Sequence, residues 1–397
     1  MRYQGQNMSD HPSHPRPLSR GVWFAVCIVV LGAGGLWFAS RRNSAPVTPP
    51  PTVPVSPPDR ATAATNAFAS APAPALPATL ESALRTLRSG ASVATNQQTL
   101  AELQRALRTV PAGQAAIVIT QFLDAKSDAA TGQEFKLGPG GRLEASPSLR
   151  TFLLDQLGQI DPAAATAYAR VILASMDSPD EWALALRNLA KGDPSEEGRK
   201  FATGKLQAML TNAAWQQAPS VGFLEAFDVA VHLHSPEVLP TLTDLVRAKD
   251  NQAVAHAAYL ALDRLAISDP TPTLTALEAN LESMAGREVT RANYFARADV
   301  RDAAQLRVVE AYLLNPALTA AELDKFSALY PNANFMVSHN LLTDSATPNR
   351  AWLTGRDQEA LNVVRRWQGE PRFERLRPQL QVIEHRLQQF VEQAQRN

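Results

Sequence analysis

The chain has 397 residues, 45% of them hydrophobic, which is enough for one large or two ordinary domains with a sizeable core. Basic and acidic residues are balanced at 38 each, so the composition argues against a nucleic-acid-binding protein or a strongly charged docking surface. The single cysteine, Cys27, excludes an intrachain disulfide framework and a cluster of thiolate metal ligands.

A membrane anchor is predicted near the N-terminus. Residues 1–20 are polar and contain prolines, so we expect a disordered tail. Residues 21–40, from Gly21 to Ser40, carry no charge, and a helix of that length rises about 30 Å, the thickness of a lipid hydrocarbon core. A cleaved signal peptide is disfavoured because large aromatic residues would occupy the position where cleavage needs a small side chain. We therefore predict an uncleaved single-pass helix that contacts the lipid bilayer.

The flanking charges and the following linker indicate how the body is placed. Three arginines and the amino terminus before the span slightly outweigh Arg41, Arg42 and the more distant Arg60 after it. This favours a cytoplasmic N-terminus and an extracytoplasmic body; a cytoplasmic body is the alternative. The richness in alanine and arginine resembles bacterial coding of high GC content, so the predicted location is the inner membrane, with a periplasmic body. Residues 41–78 contain ten prolines and predict an extended spacer, or alternatively a ligand for a proline-reading domain.

The body, residues 79–397, is patterned for helices throughout. A residue with a capping side chain followed by proline recurs along it, and this combination favours a helix start with proline in the first turn. The predicted caps are Asp161, Ser178, Asp193, Ser235, Asp269 and Asn315. Their spacing approximates one or two helix-plus-turn units, which is a loose period.

The most regular unit is residues 235–266, which predict two short helices joined by a polar turn at Asp250. Each helix has one apolar stripe, made of Val238, Leu239, Leu242, Leu245 and Val246 in the first and Val254, Ala257, Ala258, Ala261, Leu262 and Leu265 in the second. So short a pair cannot bury both stripes alone and needs similar neighbours on either side.

This unit resembles the helical hairpins of HEAT and armadillo repeats, and the rest of the body resembles them generically. The resemblance implies an all-α fold, an irregular HEAT-like helical-hairpin solenoid (α/α superhelix), behind the transmembrane helix and the proline-rich linker. An irregular α/α bundle is the structural alternative.

Two segments break the helical pattern, and a helix ends the body. Residues 134–144 place Gly138, Pro139, Gly140 and Gly141 between apolar residues and predict a small hairpin or structured loop. Residues 286–298 are interpreted as a second interruption. A heptad-like apolar seam comprises Phe373, Leu376, Leu380, Ile383, Leu387 and Phe390, and residues 378–395 predict a terminal capping helix.

Catalytic and ligand-binding motifs are absent from the sequence. It contains no phosphate-binding Gly-Lys-Ser/Thr loop, no Gly-x-Ser-x-Gly and no His-Glu-x-x-His, so no catalytic residue, cofactor, metal or small-molecule ligand is predicted. Glu225, Asp228 and His232 share one helical face, which we interpret as an exposed polar face. His256 and His339 are isolated in sequence and predict ordinary surface or core histidines.

The predicted function is therefore placement and not catalysis: a membrane-tethered helical scaffold or adaptor that binds another protein at a bacterial cell envelope. The candidate contact residues are Arg287, Arg291, Tyr294, Phe295 and Arg297, since arginine and aromatic residues are enriched at protein–protein hot spots. Alternatively, these aromatics pack onto the core. The competing class is an all-helical envelope enzyme acting on glycan or peptide, with a site between distant helices.

Overall fold

The structure is a computed structural model that describes residues 76–396. The predicted tail, the predicted span 21–40 and nearly all of the predicted linker lie outside these residues. Within 76–396 the fold is all-α apart from one short hairpin. None of the helices in this range is both long and apolar enough to cross a bilayer.

Helices follow one another with short connections in the first half of this range. They are α1 Leu76–Arg88, α2 Val93–Thr109, α3 Ala112–Asp124, α4 Leu149–Ile160, α5 Pro162–Ile172, α6 Pro179–Gly192, α7 Glu196–Leu210, α8 Ala213–Gln217 and α9 Val221–Glu225. The first of these begins inside the predicted linker, because Leu76 and Leu80 are already buried.

The second half continues the pattern. Its helices are α10 Asp228–Leu233, α11 Leu239–Arg247, α12 Gln252–Ser268, α13 Pro270–Ala279, α14 Glu288–Phe295, α15 Ala303–Leu314, α16 Ala320–Leu329, α17 Arg350–Gly369 and α18 Arg377–Arg396. Here α11 packs on α12, α12 on α13 and α17 on α18, and α12, α14, α16 and α18 also contact one another in series.

Side-chain caps account for many of the helix starts. Asp161 accepts a hydrogen bond from the backbone N–H of Ala164, and Ser178 accepts one from that of Glu181, so both predicted caps are confirmed. Each bond satisfies an N–H that has no partner inside the helix.

The other predicted caps need correction. The helix expected after Asp193 is instead capped by Ser195, and the one expected after Asn315 is capped by Thr319. Ser235 does not cap a helix with its side chain; Pro236 starts a single 3₁₀ turn before α11. Asp269 precedes α13 without a side-chain capping bond.

The 235–266 unit forms two packed helices, α11 and α12. Its stripe residues are buried, with Ala257 only partly so because it faces a cavity. Truncating one of the buried leucines to alanine costs about 2–5 kcal/mol of folding free energy in such cores. Packing against neighbours therefore stabilises this unit, as its two stripes require.

The predicted interruption at residues 286–298 is mostly a helix. Gly286 adopts a left-handed φ of 77°, and α14 begins two residues later. One face of α14 buries Ala292 and Phe295, which is why the segment continues the helical stack.

A hairpin stands at the predicted turn. Strands β1 Lys136–Leu137 and β2 Leu143–Ala145 pair antiparallel around a 3₁₀ turn, Pro139–Gly141. Gly141 has a φ of 70°, and a Cβ there would lie 2.0 Å from the Leu341 carbonyl oxygen. The hairpin therefore touches the irregular stretch between α16 and α17, residues 331–349, which we call the 331–349 segment.

Buried ion pairs join alternate helices in two regions. Between α4 and α6, Arg150 makes a bidentate pair with Glu181, at 2.7 Å (Nε to Oε1) and 2.8 Å (Nη2 to Oε2). Between α14 and α16, Arg291 pairs in the same way with Glu322, at 2.7 Å and 2.6 Å. In each pair the glutamate lies in the first turn of a capped helix, where a carboxylate suits the helix dipole.

The last helix, α18, packs on α16 and α17. The predicted seam residues are buried except Phe390, which is 46% exposed; Val391 is buried in its place. The seam was extended one position too far, because a regular helix drifts away from a strict heptad spacing.

Candidate functional site

A cavity of about 860 Å³ lies in the second half of the helical stack. Its walls come from α9, α10, α12, the C-terminal half of α14 and the 331–349 segment. Apolar side chains form much of the lining, including Leu224, Phe227, Ala257, Ile267 and Phe335. A large concave site with apolar walls and a few convergent polar groups is the usual form of a ligand-binding pocket.

Asp228 holds the 331–349 segment, one wall of the cavity, in place. Its fully buried carboxylate accepts hydrogen bonds from the backbone N–H groups of Leu342 and Thr343, at 2.6 Å and 2.8 Å, and from the Thr343 hydroxyl. Arg264 Nη1 lies 3.0 Å from Asp228 Oδ1. Because these donors belong to residues far along the chain, the aspartate holds the 331–349 segment against α10 and α12.

Arg297 also holds the 331–349 segment in place. Its guanidinium pairs with Asp263 at 2.9 Å (Nε to Oδ1) and 2.8 Å (Nη2 to Oδ2). It also donates to the carbonyl oxygens of Asn332 and Asn334, at 3.3 Å and 2.8 Å. The cavity mouth is thus held between two buried charged contacts with partners on well-packed helices.

Glu225, at the end of α9, lines the cavity. Burial raises the pKa of its carboxyl above the usual range; the Arg264 charge opposes this and the Asp228 charge adds to it. Among the residues that the structure describes, no group donates a hydrogen bond to this carboxylate. Within the same range, Nε of Arg264 is buried without a hydrogen-bond partner, while its Nη1 forms the ion pair with Asp228. The described lining therefore includes a carboxylate that accepts no hydrogen bond and a guanidinium whose Nε donates none.

Four histidines line the cavity: His232, His234, His256 and His339. Burial lowers the pKa of His232, so its imidazole is neutral at pH 7. His339 Nδ1 lies 3.4 Å from an oxygen of Asp344, and His256 stacks on the Tyr259 ring with centroids 6.0 Å apart. No group of three or more His, Cys, Asp or Glu side chains suited to a metal ion occurs within residues 76–396.

Four of the five predicted partner-contact residues are buried, so the predicted patch is corrected. Arg291 is paired with Glu322, and Arg297 is paired with Asp263. Tyr294 is fully buried, and Phe295 stacks on Tyr312 with centroids 3.9 Å apart. The alternative interpretation, aromatics packed on the core, describes these residues.

The remaining one, Arg287, is half-buried at a smaller cavity of about 460 Å³. This second cavity shares His256 and Tyr259 with the first. Of the predicted set, Arg297 lines the larger cavity and Arg287 the smaller one.

The interpretation of Glu225, Asp228 and His232 as one exposed face is also corrected. The helix is interrupted between α9 and α10, Asp228 is buried, and the other two line the cavity. One signal in the sequence could have located the site. Residues 331–349 contain four asparagines and no helical apolar pattern, and long irregular connections in helical proteins are often functional.

Comparisons with known proteins found no matching family model, no matching curated sequence and no matching solved structure. Functional inference for this chain therefore depends on the cavity and the residues around it.

Proposed function

We propose that this protein is a membrane-tethered helical adaptor at a bacterial cell envelope, and that it binds a segment of another protein in the cavity. The observation that carries the proposal is the cavity itself, with apolar walls and two groups, Glu225 and Arg264, that have unused bonding capacity. Such groups give orientation to a bound chain, and the apolar walls give affinity.

An extended chain suits the cavity mouth better than a small enclosed molecule does. Met336 lines the cavity, and its neighbour Val337 continues the apolar surface outward; the two are 57% and 75% exposed. Large apolar side chains exposed beside a cavity are typical of a protein-binding surface. A peptide that enters the cavity would cover both residues on its way out.

The rest of the proposal concerns architecture and location. Alternate helices that contact in series, as α12, α14, α16 and α18 do, support an irregular α/α solenoid in which the cavity occupies one stretch. The span 21–40 would fix the protein in the inner membrane, and the proline-rich linker would set its reach, with the body in the periplasm. Fusion of a compartment-dependent reporter to the C-terminus tests this placement, and activity of a cytoplasmic reporter alone would contradict it.

The adaptor proposal is tested by crosslinking the full chain to its neighbours in native membranes. Ala257→Trp fills the cavity from α12, while Ala101→Trp places the same ring on an exposed position of α2. We expect the wild type and Ala101→Trp to recover a common partner protein and Ala257→Trp to lose it at an unchanged melting temperature. Equal recovery by all three would remove the cavity from the interaction.

One observation favours a second candidate, an envelope hydrolase. A carboxyl whose pKa is raised by burial inside a cleft is suited to act as a general acid toward glycan or peptide bonds, and Glu225 is such a group. The purified chain would then hydrolyse cell-wall glycan or peptides, and Glu225→Gln would abolish the activity. That result would replace the adaptor proposal.

A further inference from the structure

We infer that the partner segment inserts a lysine or arginine side chain into the cavity, and that its cation pairs with Glu225. This inference rests on the proposed function and adds the chemical class of the bound group. It follows from the charges around Glu225, from the shape of the neighbouring wall and from the state of the other acids in the cavity.

The charges around Glu225 do not balance. Glu225, Asp228 and Arg264 interact electrostatically, and Arg264 lies 3.0 Å from Asp228. Two ionised carboxylates and one guanidinium leave a net charge of −1 in a largely buried cluster. An uncompensated charge is costly at such a site, so the cluster takes up either a proton or a cation. Uptake of a proton corresponds to the raised pKa of the Glu225 carboxyl. Uptake of a cation corresponds to an ion pair between Glu225 and a basic side chain of the ligand.

The other acids of the cavity lining already have partners. Asp263 accepts hydrogen bonds from Nε and Nη2 of Arg297. Asp344 accepts one from the Gly140 backbone N–H at 3.1 Å and lies beside His339. Among the described lining residues, Glu225 is therefore the carboxylate left to meet a ligand. A cation entering the cavity would be directed to this position.

The wall beside Glu225 suits the aliphatic stem of a lysine or arginine. Leu224 precedes it on α9, and Ile267 projects from α12 one turn after Arg264 and is 40% exposed. Long basic side chains bury their methylene stems along apolar surface while the charged end is paired. The stacked rings of His256 and Tyr259 give a flat aromatic face on which a guanidinium can also lie.

The test uses the full chain, purified in detergent, against a positional library of seven-residue peptides. Wild type and Ala101→Trp are expected to select lysine or arginine at one position, and Glu225→Gln to lose that selection by about tenfold or more. On the wild type, acetylation of the selected lysine should weaken binding equally. This second measurement does not depend on the folding of a variant.

The outcomes separate the two proposals. Suppose that Ala257→Trp abolishes peptide binding, but the wild type shows no preference for a basic residue, or Glu225→Gln keeps that preference undiminished. Either result overturns the assignment of the cation to Glu225 and leaves the cavity as the binding site. Binding that is equal in wild type and Ala257→Trp overturns the proposed function itself.

Discussion

Two regions of the stack use the same arrangement of buried charges with different results. In the first, α4 and α6 are joined by Arg150–Glu181 and by Arg187–Asp155. In the second, Arg291–Glu322 joins α14 to α16, and Arg297–Asp263 joins the turn after α14 to α12. Both bidentate Arg–Glu pairs are separated by 31 residues, and in both the arginine also donates to a backbone carbonyl.

The two regions differ in the segment that covers Arg187–Asp155 in the first and Arg297–Asp263 in the second. The hairpin closes over Arg187–Asp155, since Arg187 donates to the Gly141 carbonyl and Asp155 accepts from the Leu143 N–H. The 331–349 segment covers Arg297–Asp263 in a similar way, through the carbonyls of Asn332 and Asn334, but a cavity remains beside it. The same arrangement of buried pairs thus lies under a closed hairpin in one region and beside a cavity in the other.

The largest effect should come from breaking the buried Arg–Glu pairs. Glu322→Ala leaves the Arg291 charge buried and unpaired, so we expect a loss of about 3–5 kcal/mol in the free energy of unfolding. Glu181→Ala should cost less, because both side chains of its pair are 11% exposed. Urea denaturation of the full chain in detergent measures both. A larger loss for Glu181→Ala would contradict the ranking.

Alanine substitutions at two adjacent glycines test the contact between the hairpin and the 331–349 segment. Gly140 and Gly141 both have left-handed φ, so alanine strains the backbone at either position. Only at Gly141 would the Cβ also collide with the Leu341 carbonyl; at Gly140 nothing lies within 4 Å. We expect a loss of about 1 kcal/mol for Gly140→Ala and about 3 kcal/mol for Gly141→Ala in thermal melts. Equal losses would show that the two irregular segments do not touch.

Substitutions of two aspartates test whether the hairpin and the 331–349 segment are each held in place by a separate carboxylate. Asp228→Asn removes an ionised acceptor from the Leu342 and Thr343 N–H groups, and Asp155→Asn does the same for Leu143. Each should cost about 2 kcal/mol locally, so amide exchange should quicken only in the segment that the variant releases. Exchange that quickens in both segments with either variant would mean that they open together.

The smallest effect concerns the pH dependence of stability. Since burial raises the pKa of Glu225 above the ordinary value of about 4.3, its contribution to stability is complete below that pH and is lost as the pH rises through the folded-state pKa. Glu225→Gln removes this pH-dependent loss of stability, because the glutamine amide does not ionise. We expect its melting temperature to equal that of the wild type at pH 4 and to exceed it at pH 8; a lower value at pH 8 would contradict the burial of an unpartnered acid.

Local patterns predicted the helices but not the site. The stripes of residues 235–266 and the caps Asp161 and Ser178 depend on neighbours within a turn or two, which periodicity detects. The sequence predicts Arg291 and Arg297 at the surface because their acidic partners, Glu322 and Asp263, lie on other helices. His339 joins the other three histidines and Glu225 only because the 331–349 segment returns to α10 and α12, and no local pattern encodes that return.

The bond from Asp228 to Leu342 spans 114 residues and so carries a consequence for the order of folding. Contacts so distant along the chain form late, after nearer helices have paired and the entropy of closing a long loop has been overcome. During synthesis, the helices up to α13 can assemble while the cavity still lacks the walls formed by α14 and the 331–349 segment. The cavity would then be complete only after the 331–349 segment has been synthesised.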